Sequence, residues 1–406
     1  MSTGIDGRRY EFTLVLILML AGGVAAVDAQ TVFYIMPFIA QDLHLDNTQI
    51  GLIGSAVLVG WSLAALGVAL LSDRMGRRKP FLVGAFVVFA LFSGLSAAAS
   101  SFLALFAARL VMGLAEGPVI PIQHVMVMAE SAPQRRGLNM GIVQNFGAQL
   151  IGTLAAPILV VWLAQRTGWR SAFLLAGIPA LLIALAIWKF LREPPGAAHA
   201  EPRRATGNAF SRLPVIWAVR NVRISVAIGT CCVAWYFMML TFLPLWLTKG
   251  LGLDPGVMST VIAMMGAAGA AGAFLVAGLS DRIGRRNAMR LFCSIGFIAP
   301  IGVLWVGPHP LLLGALVFLG SLMIGTFSLF MGTIPQESVD AADGATATAL
   351  VLCIAQLAGG IVGPSLGGVL ADRLGLQAPL LLAAGLALCG TMLSFSLRES
   401  GLRGRG

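Results

Sequence analysis

Three ionisable side chains stand deep inside long apolar stretches of the chain: Asp28, Arg109 and Glu116. A charge held at the centre of an apolar span costs about 2.5–3.5 kcal/mol on insertion scales, so each marks a functional site by default. Arg109 and Glu116 are seven residues apart, which at ~100° per residue puts both on one helical face. Gly113 and Gly117 share that stripe and would let a helix or a ligand approach closely. A guanidinium offers a fork of donors to an anion. A carboxylate in a dry site can carry a proton near neutral pH, and a neighbouring arginine opposes this. An anion that competes for Arg109 would therefore free an acid to protonate, which couples anion and proton movement. The plainer alternative is a buried structural ion pair between Arg109 and one acid. Two acids and one base leave that pair incomplete, with one acid over to titrate.

Helices must position these groups. The 406 residues are 58% hydrophobic and 11% charged, with a mean hydropathy of +0.89. A soluble domain carries roughly 25% charged residues. So few charges cannot cover a globular surface, which excludes a soluble enzyme, a disordered chain and a nucleic-acid binder. What remains is a polytopic membrane protein. The net charge of +10 sits in short clusters between apolar runs, as cytoplasmic loops of membrane proteins do. The five cysteines, Cys231, Cys232, Cys293, Cys353 and Cys389, fall in apolar stretches without metal-ligand spacing and read as small buried hydrophobes.

Twelve runs are long enough to span: 12–37, 50–72, 80–100, 102–129, 137–163, 171–190, 224–248, 257–279, 288–306, 310–334, 344–370 and 377–397. The first is too long for a signal peptide and is a retained span. With both termini cytoplasmic, 22 of the 27 Lys and Arg lie on the inner side and four outside, Arg109 being within span four. Residues 191–223 form a polar, Pro-punctuated cytoplasmic linker between an N-terminal bundle, 1–190, and a C-terminal bundle, 224–406. With twelve helices, a span rises ~1.5 Å per residue, placing Arg109 ~10 Å and Glu116 ~20 Å in from the outer surface. Asp28 lies ~24 Å up from the inner end of span one, so all three could line one cavity open to the outside.

The halves repeat at an offset of 207–208 residues. Ser72-Asp73-Arg74-Met75-Gly76-Arg77-Arg78 matches Ser280-Asp281-Arg282-Ile283-Gly284-Arg285-Arg286. Pro37 matches Pro244, Glu130 matches Glu337, and Pro157 matches Pro364. The fold class expected is thus an all-α membrane protein with twelve transmembrane helices in two six-helix bundles, related by a parallel pseudo-two-fold repeat. Such transporters hold substrate near the midplane and rock around it.

The loop Asp73-Arg74-Met75-Gly76-Arg77-Arg78-Lys79 resembles the signature loop of the major facilitator superfamily, with Ala69 at the usual leading glycine. The resemblance extends over essentially the whole chain. It implies gating: Asp73, with Asp281 in the repeat, caps a helix start of the opposite half, while Arg77 pairs with Glu130 and Arg285 with Glu337 to latch the cytoplasmic side in the outward-open state. The run Arg109-Leu110-Val111-Met112-Gly113-Leu114-Ala115-Glu116-Gly117 resembles the span-four signature of the anion:cation symporters, which move organic anions such as sugar acids with protons. Asp28 and Pro37 keep that group's span-one spacing, and Ala29 stands where an arginine is usual. Asp28-Ala29-Gln30 is also similar to the aromatic acid:proton symporters, with Ala25 in place of their earlier acid.

The resemblance implies proton-coupled uptake of a small organic anion by alternating access. Proton-coupled efflux of amphiphilic compounds or organic acids is the alternative, weakened because span five lacks the antiporters' Gly-Pro pair. Asp28 and Glu116 are then the proton carriers and Arg109 the anion site. Further substrate contacts are Gln144 and Asn145 in span five, Trp235 and Tyr236 at the repeat position of Asp28-Ala29, and Gln356; Ser328 is another polar candidate. His124, about 60° off the Arg109 stripe, is a relay or a satisfied histidine. No catalytic, metal or cofactor motif and no phosphate-binding loop is present, so the expectation is a monomeric, lipid-embedded carrier in the cell membrane and not an enzyme.

Overall fold

The computed structural model describes residues 5–75, 77–132, 135, 139–140, 142–143, 147–193, 209–340 and 343–400. All regular structure among them is helical, and ten helices are long and apolar enough to cross a membrane. Large apolar side chains face outward, among them Phe12, Leu103, Phe274, Trp305 and Leu311. In water such a surface would be a liability, whereas lipid tails solvate it. The chain divides into two compact units: 1–43 with 56–201, and 44–55 with 202–406.

The first unit begins with α1 (Ile5–Tyr34). Ile35 interrupts it, and the short α2 (Met36–Asp42) opens with Pro37 in its first turn, where the missing N–H would have no partner anyway. Then come α3 (Asn47–Met75), whose start as far as Ser55 belongs to the second unit, α4 (Lys79–Ala97), α5 (Phe102–Glu116) and α6 (Val119–Glu130). A π-helical turn, Ala148–Ala155, leads into α7 (Ala156–Thr167), and α8 (Trp169–Phe190) follows. The apolar run expected as one span over 102–129 is two helices. Gly117 and Pro118 separate them, because Pro118 has no N–H for the Leu114 carbonyl and its ring crowds that turn. Leu14, Leu18, Phe86, Phe89, Met112 and Ile187 form the unit's apolar core, where α1, α4, α5 and α8 meet.

Two glycines set how closely helices approach. A Cβ on Gly147 would lie 2.1 Å from the Met19 carbonyl oxygen of α1, and one on Gly113 2.1 Å from the Val57 carbonyl oxygen of α3. The stripe shared by Arg109 and Glu116 is therefore occupied at Gly113 by a neighbouring helix. Gly113→Ala should cost about 1–3 kcal/mol through forced separation of α3 and α5. A lowered melting temperature of the purified protein would register it; an unchanged one would mean the contact is slack.

In the second unit, α9 (Ala209–Ala218) lies within the stretch expected to be an irregular linker, and α10 (Arg220–Leu245) starts four residues before the expected span. Arg212 of α9 is salt-bridged to Asp343, which ties this helix down. Next are α11 (Pro255–Ile283), α12 (Arg285–Ile295), α13 (Ile298–Trp305), α14 (Pro310–Ser321), α15 (Ile334–Ser338), α16 (Gly344–Ala355), α17 (Gly363–Leu374) and α18 (Gln377–Ser394). The run expected as span nine is divided between α12 and α13 around Gly296, whose carbonyl faces the N–H-less Pro300. The central α10 is buried along most of its length against α16, α17 and α18. At the far end of α17, Asp372 accepts hydrogen bonds from the backbone N–H groups of Asn47 (2.9 Å) and Thr48 (2.8 Å) and from both side chains. A carboxylate from one helix thus caps the start of another, where the helix dipole favours negative charge.

Candidate anion and proton site

Four helices of the first unit converge on Asp28. Arg109 of α5 reaches across to α1, with Nη1 3.2 Å from Asp28 Oδ2, and both side chains are fully buried. Arg109 Nη2 also donates to the backbone carbonyls of Asp28 (2.8 Å) and Ala29 (3.2 Å), and the guanidinium carbon sits 5.4 Å from the Phe173 ring centroid of α8. The other carboxylate oxygen, Asp28 Oδ1, is hydrogen-bonded to Ser93 Oγ of α4. The same Ser93 Oγ lies 2.8 Å from the Phe173 carbonyl oxygen. The buried charges are thereby neutralised as a pair and hydrogen-bonded on most sides, which is the condition for tolerating them in an apolar interior.

The site differs from the sequence expectation in one way and resolves one point the sequence left open, which acid pairs with Arg109. Asp28 and Arg109 were expected to line an open cavity; they are sealed from solvent in this conformation. Arg109 pairs with Asp28 and not with Glu116 on its own helix, because seven residues of rise separate those two by ~10 Å. Glu116 is the acid left over: its Oε2 is buried with no hydrogen-bond partner among the described residues, as is Arg109 Nε. His124 Nε2 is likewise buried and unpartnered. Gln30, two residues after Asp28 and so about 200° around the helix, meets the Tyr34 hydroxyl and the Thr153 hydroxyl (3.3 Å), a separate polar contact to the π-helical turn.

Trp235 and Gln356, expected as substrate contacts, are in the second unit, and each buries a polar atom without a partner among the described residues: indole Nε1 and amide Oε1. Tyr236 packs edge-on against Phe237 and Phe327, with ring centroids 5.1 and 6.0 Å away. Ser328 instead spends its hydroxyl on the Gly325 carbonyl at 3.0 Å. Gln144 and Asn145 lie outside the described residues, as does the side chain of Asp73.

The expected gating residues are only partly brought together. In the second unit Arg285 bonds Asp281 and approaches Glu337 at 3.1 Å. In the first unit the expected Arg77–Glu130 pair is not formed. Arg77 is exposed, and Glu130 accepts from Arg192 at 3.2 Å. Arg192 wins because its guanidinium is already stacked on the Tyr10 ring, 4.0 Å away, beside Glu130. Two capping acids were not anticipated. Glu193 accepts from the backbone N–H groups of Arg78 and Lys79 (3.1 Å for Lys79) at the start of α4. Glu399 does the same for Arg285 (2.7 Å) and Arg286 (3.2 Å) at the start of α12. A signal was present: Leu191-Arg192-Glu193 recurs as Leu397-Arg398-Glu399. Glu11, buried at the start of α1, was missed because it sits one residue outside the expected span. It accepts from the Ala132 N–H, Arg135 and Asn139. A cavity of about 1120 Å³ opens beside it, with Arg8, Arg9 and Arg135 at its polar rim and Phe12, Leu16 and Met19 along its wall.

Comparison with known proteins agrees with this architecture. The family model described as Major Facilitator Superfamily matches residues 18–361. The hexuronate transporter of Bacillus subtilis (strain 168) is 28% identical over 402 residues, covering 94% of this chain and 93% of that protein. The gentisate transporter of Corynebacterium glutamicum is 27% identical, covering 90% of this chain and 82% of its own length. Among solved structures, a bacterial homolog of the human lysosomal transporter Spinster, inward-facing and unoccupied, superposes with a TM-score of 0.80 at 18% identity, covering 95% of this chain and 97% of that one.

Proposed function

The chain belongs to the Major Facilitator Superfamily, a multi-pass membrane transporter, and we propose that it is a proton-coupled symporter taking up a small organic anion by alternating access. The observation that carries this reading is the imbalance of the buried charges. One guanidinium is paired with one carboxylate, and a second carboxylate carries a buried oxygen with no partner. In the proposed cycle an incoming carboxylate displaces Asp28 from Arg109. Asp28 and Glu116 then carry protons, so that the loaded form crosses the apolar interior with its charges paired.

The proposal extends to twelve spans in two six-helix bundles, 1–190 and 224–406, with the 191–223 connection and both termini cytoplasmic. Arg109, Gln144, Asn145, Trp235, Tyr236 and Gln356 are the proposed substrate contacts. Asp73, Arg77, Glu130, Asp281, Arg285 and Glu337 are the proposed gating residues, with Arg192 as the partner of Glu130. Relatives named for hexuronate and gentisate transport make a hexuronate and gentisate the first probes. In reconstituted vesicles with an inward proton gradient, symport gives accumulation of one of these acids, and collapse of the gradient abolishes it. Expulsion driven by the same gradient would favour the alternative, proton-coupled efflux.

A further inference from the structure

The hydroxyl of Ser93 has one proton and two acceptors in reach: Asp28 Oδ1 and the Phe173 carbonyl oxygen at 2.8 Å. It can donate to only one at a time. With Asp28 ionised, Ser93 donates to the carboxylate, while Arg109 Nη1 holds Oδ2. With Asp28 protonated at Oδ1, the acid O–H donates to Ser93 Oγ, and the Ser93 proton turns to the Phe173 carbonyl. Each state leaves both Asp28 Oδ1 and Ser93 Oγ hydrogen-bonded, and no heavy atom has to move between them.

We propose that Ser93 is the positioning residue of the Asp28 proton site, a hydroxyl that reverses direction as Asp28 gains or loses its proton. This rests on Asp28 being a proton carrier. The step balances simply: one proton arrives from water at Asp28 Oδ1, the Arg109 contact passes to the anionic substrate, and only hydrogen bonds rearrange. Arg109 stays anchored through Nη2 on the Asp28 and Ala29 carbonyls while Nη1 changes partner. Phe173 contributes its carbonyl to one end of this arrangement and its ring to the guanidinium, so α8 contacts both members of the pair. The charged groups within electrostatic reach of Asp28 are Arg109 and Glu116, both on α5. From α4 comes Ser93, from α8 Phe173, and the π-helical turn Ala148–Ala155 brings only uncharged residues.

Ser93 does not touch substrate, so its signature is a pH profile. Removing the hydroxyl takes a charge-assisted bond from the ionised acid and a weaker neutral one from the protonated acid. In Ser93→Ala the external pH of half-maximal uptake should therefore rise by about one unit. Ser93→Cys, a weaker donor of similar size, should fall between the two. Counterflow, the exchange of labelled for unlabelled substrate without net proton movement, should persist in both variants and shows that they are folded. In an Asp28→Asn background the further change Ser93→Ala should leave the profile where Asp28→Asn alone puts it, because the two residues act as one unit. The proposal is overturned if the Ser93→Ala profile coincides with the native one while Asp28→Asn changes it. Native proton-driven accumulation by Asp28→Asn is a different failure, since it removes Asp28 as a carrier and the proposal with it.

Discussion

Arg109→Ala is expected to abolish substrate binding as well as transport. The proposed anionic substrate loses its cationic partner, and Asp28 is left buried without its counter-charge. Stranding one member of a buried pair costs about 3–5 kcal/mol, so a loss of folding could mimic a loss of binding. A charge-neutral double variant, Asp28→Asn with Arg109→Gln, separates the two. It should recover the melting temperature of the native protein to within a few degrees and still show no substrate-induced thermal shift. Arg109→Lys should fail almost as badly, because a single ammonium cannot reach the Asp28 carboxylate and both helix carbonyls as the fork does. A double variant that binds substrate at native affinity would make the buried pair purely structural.

Glu116→Gln should have the second-largest effect, and of a different kind. The amide imitates the protonated acid, so binding and counterflow should survive while accumulation against a gradient falls to equilibration. The position suits this test because the Glu116 Oε2 atom has no described partner whose loss would disturb folding. Normal accumulation by both Glu116→Gln and Asp28→Asn would move the coupling site elsewhere, with His124, whose buried Nε2 has no partner among the described residues, the remaining candidate.

Apolar run length recovered most helices. Trp169–Phe190 was expected over 171–190, Lys79–Ala97 over 80–100 and Gln377–Ser394 over 377–397. It did not reveal the breaks at Gly117-Pro118 and around Gly296, because hydropathy is blind to a missing N–H. Nor did it reveal α9, an apolar helix of ten residues, too short to read as a span, which buries Ile216 and salt-bridges Asp343 through Arg212. The buried charges themselves were plain, since a charge in an apolar run is conspicuous. Their pairing was not: helical periodicity aligned Arg109 with Glu116, but a shared face is not contact when two turns intervene. Ser93 gave no signal at all. A serine in the run Leu-Phe-Ser-Gly-Leu-Ser is unremarkable until the fold sets α1 and α8 on either side of it.

Under the proposed proton symport, the pairing of Asp28 with Arg109 also decides how the carrier responds to voltage. In a cycle whose empty form keeps the pair neutral and Glu116 ionised, the buried group holds one net negative charge. A monoanion bound with one proton on Glu116 leaves that charge unchanged, so both reorienting forms would feel the membrane potential equally and the cycle would be electroneutral. If the anion also releases Asp28 to take a second proton, the loaded form becomes neutral, and each cycle moves one positive charge inward. That charge is worth about 2.3 kcal/mol per 100 mV, roughly a fiftyfold gain in accumulation. The number of protons held beside Arg109 thus decides whether the carrier draws on the pH difference alone or on the electrical potential as well.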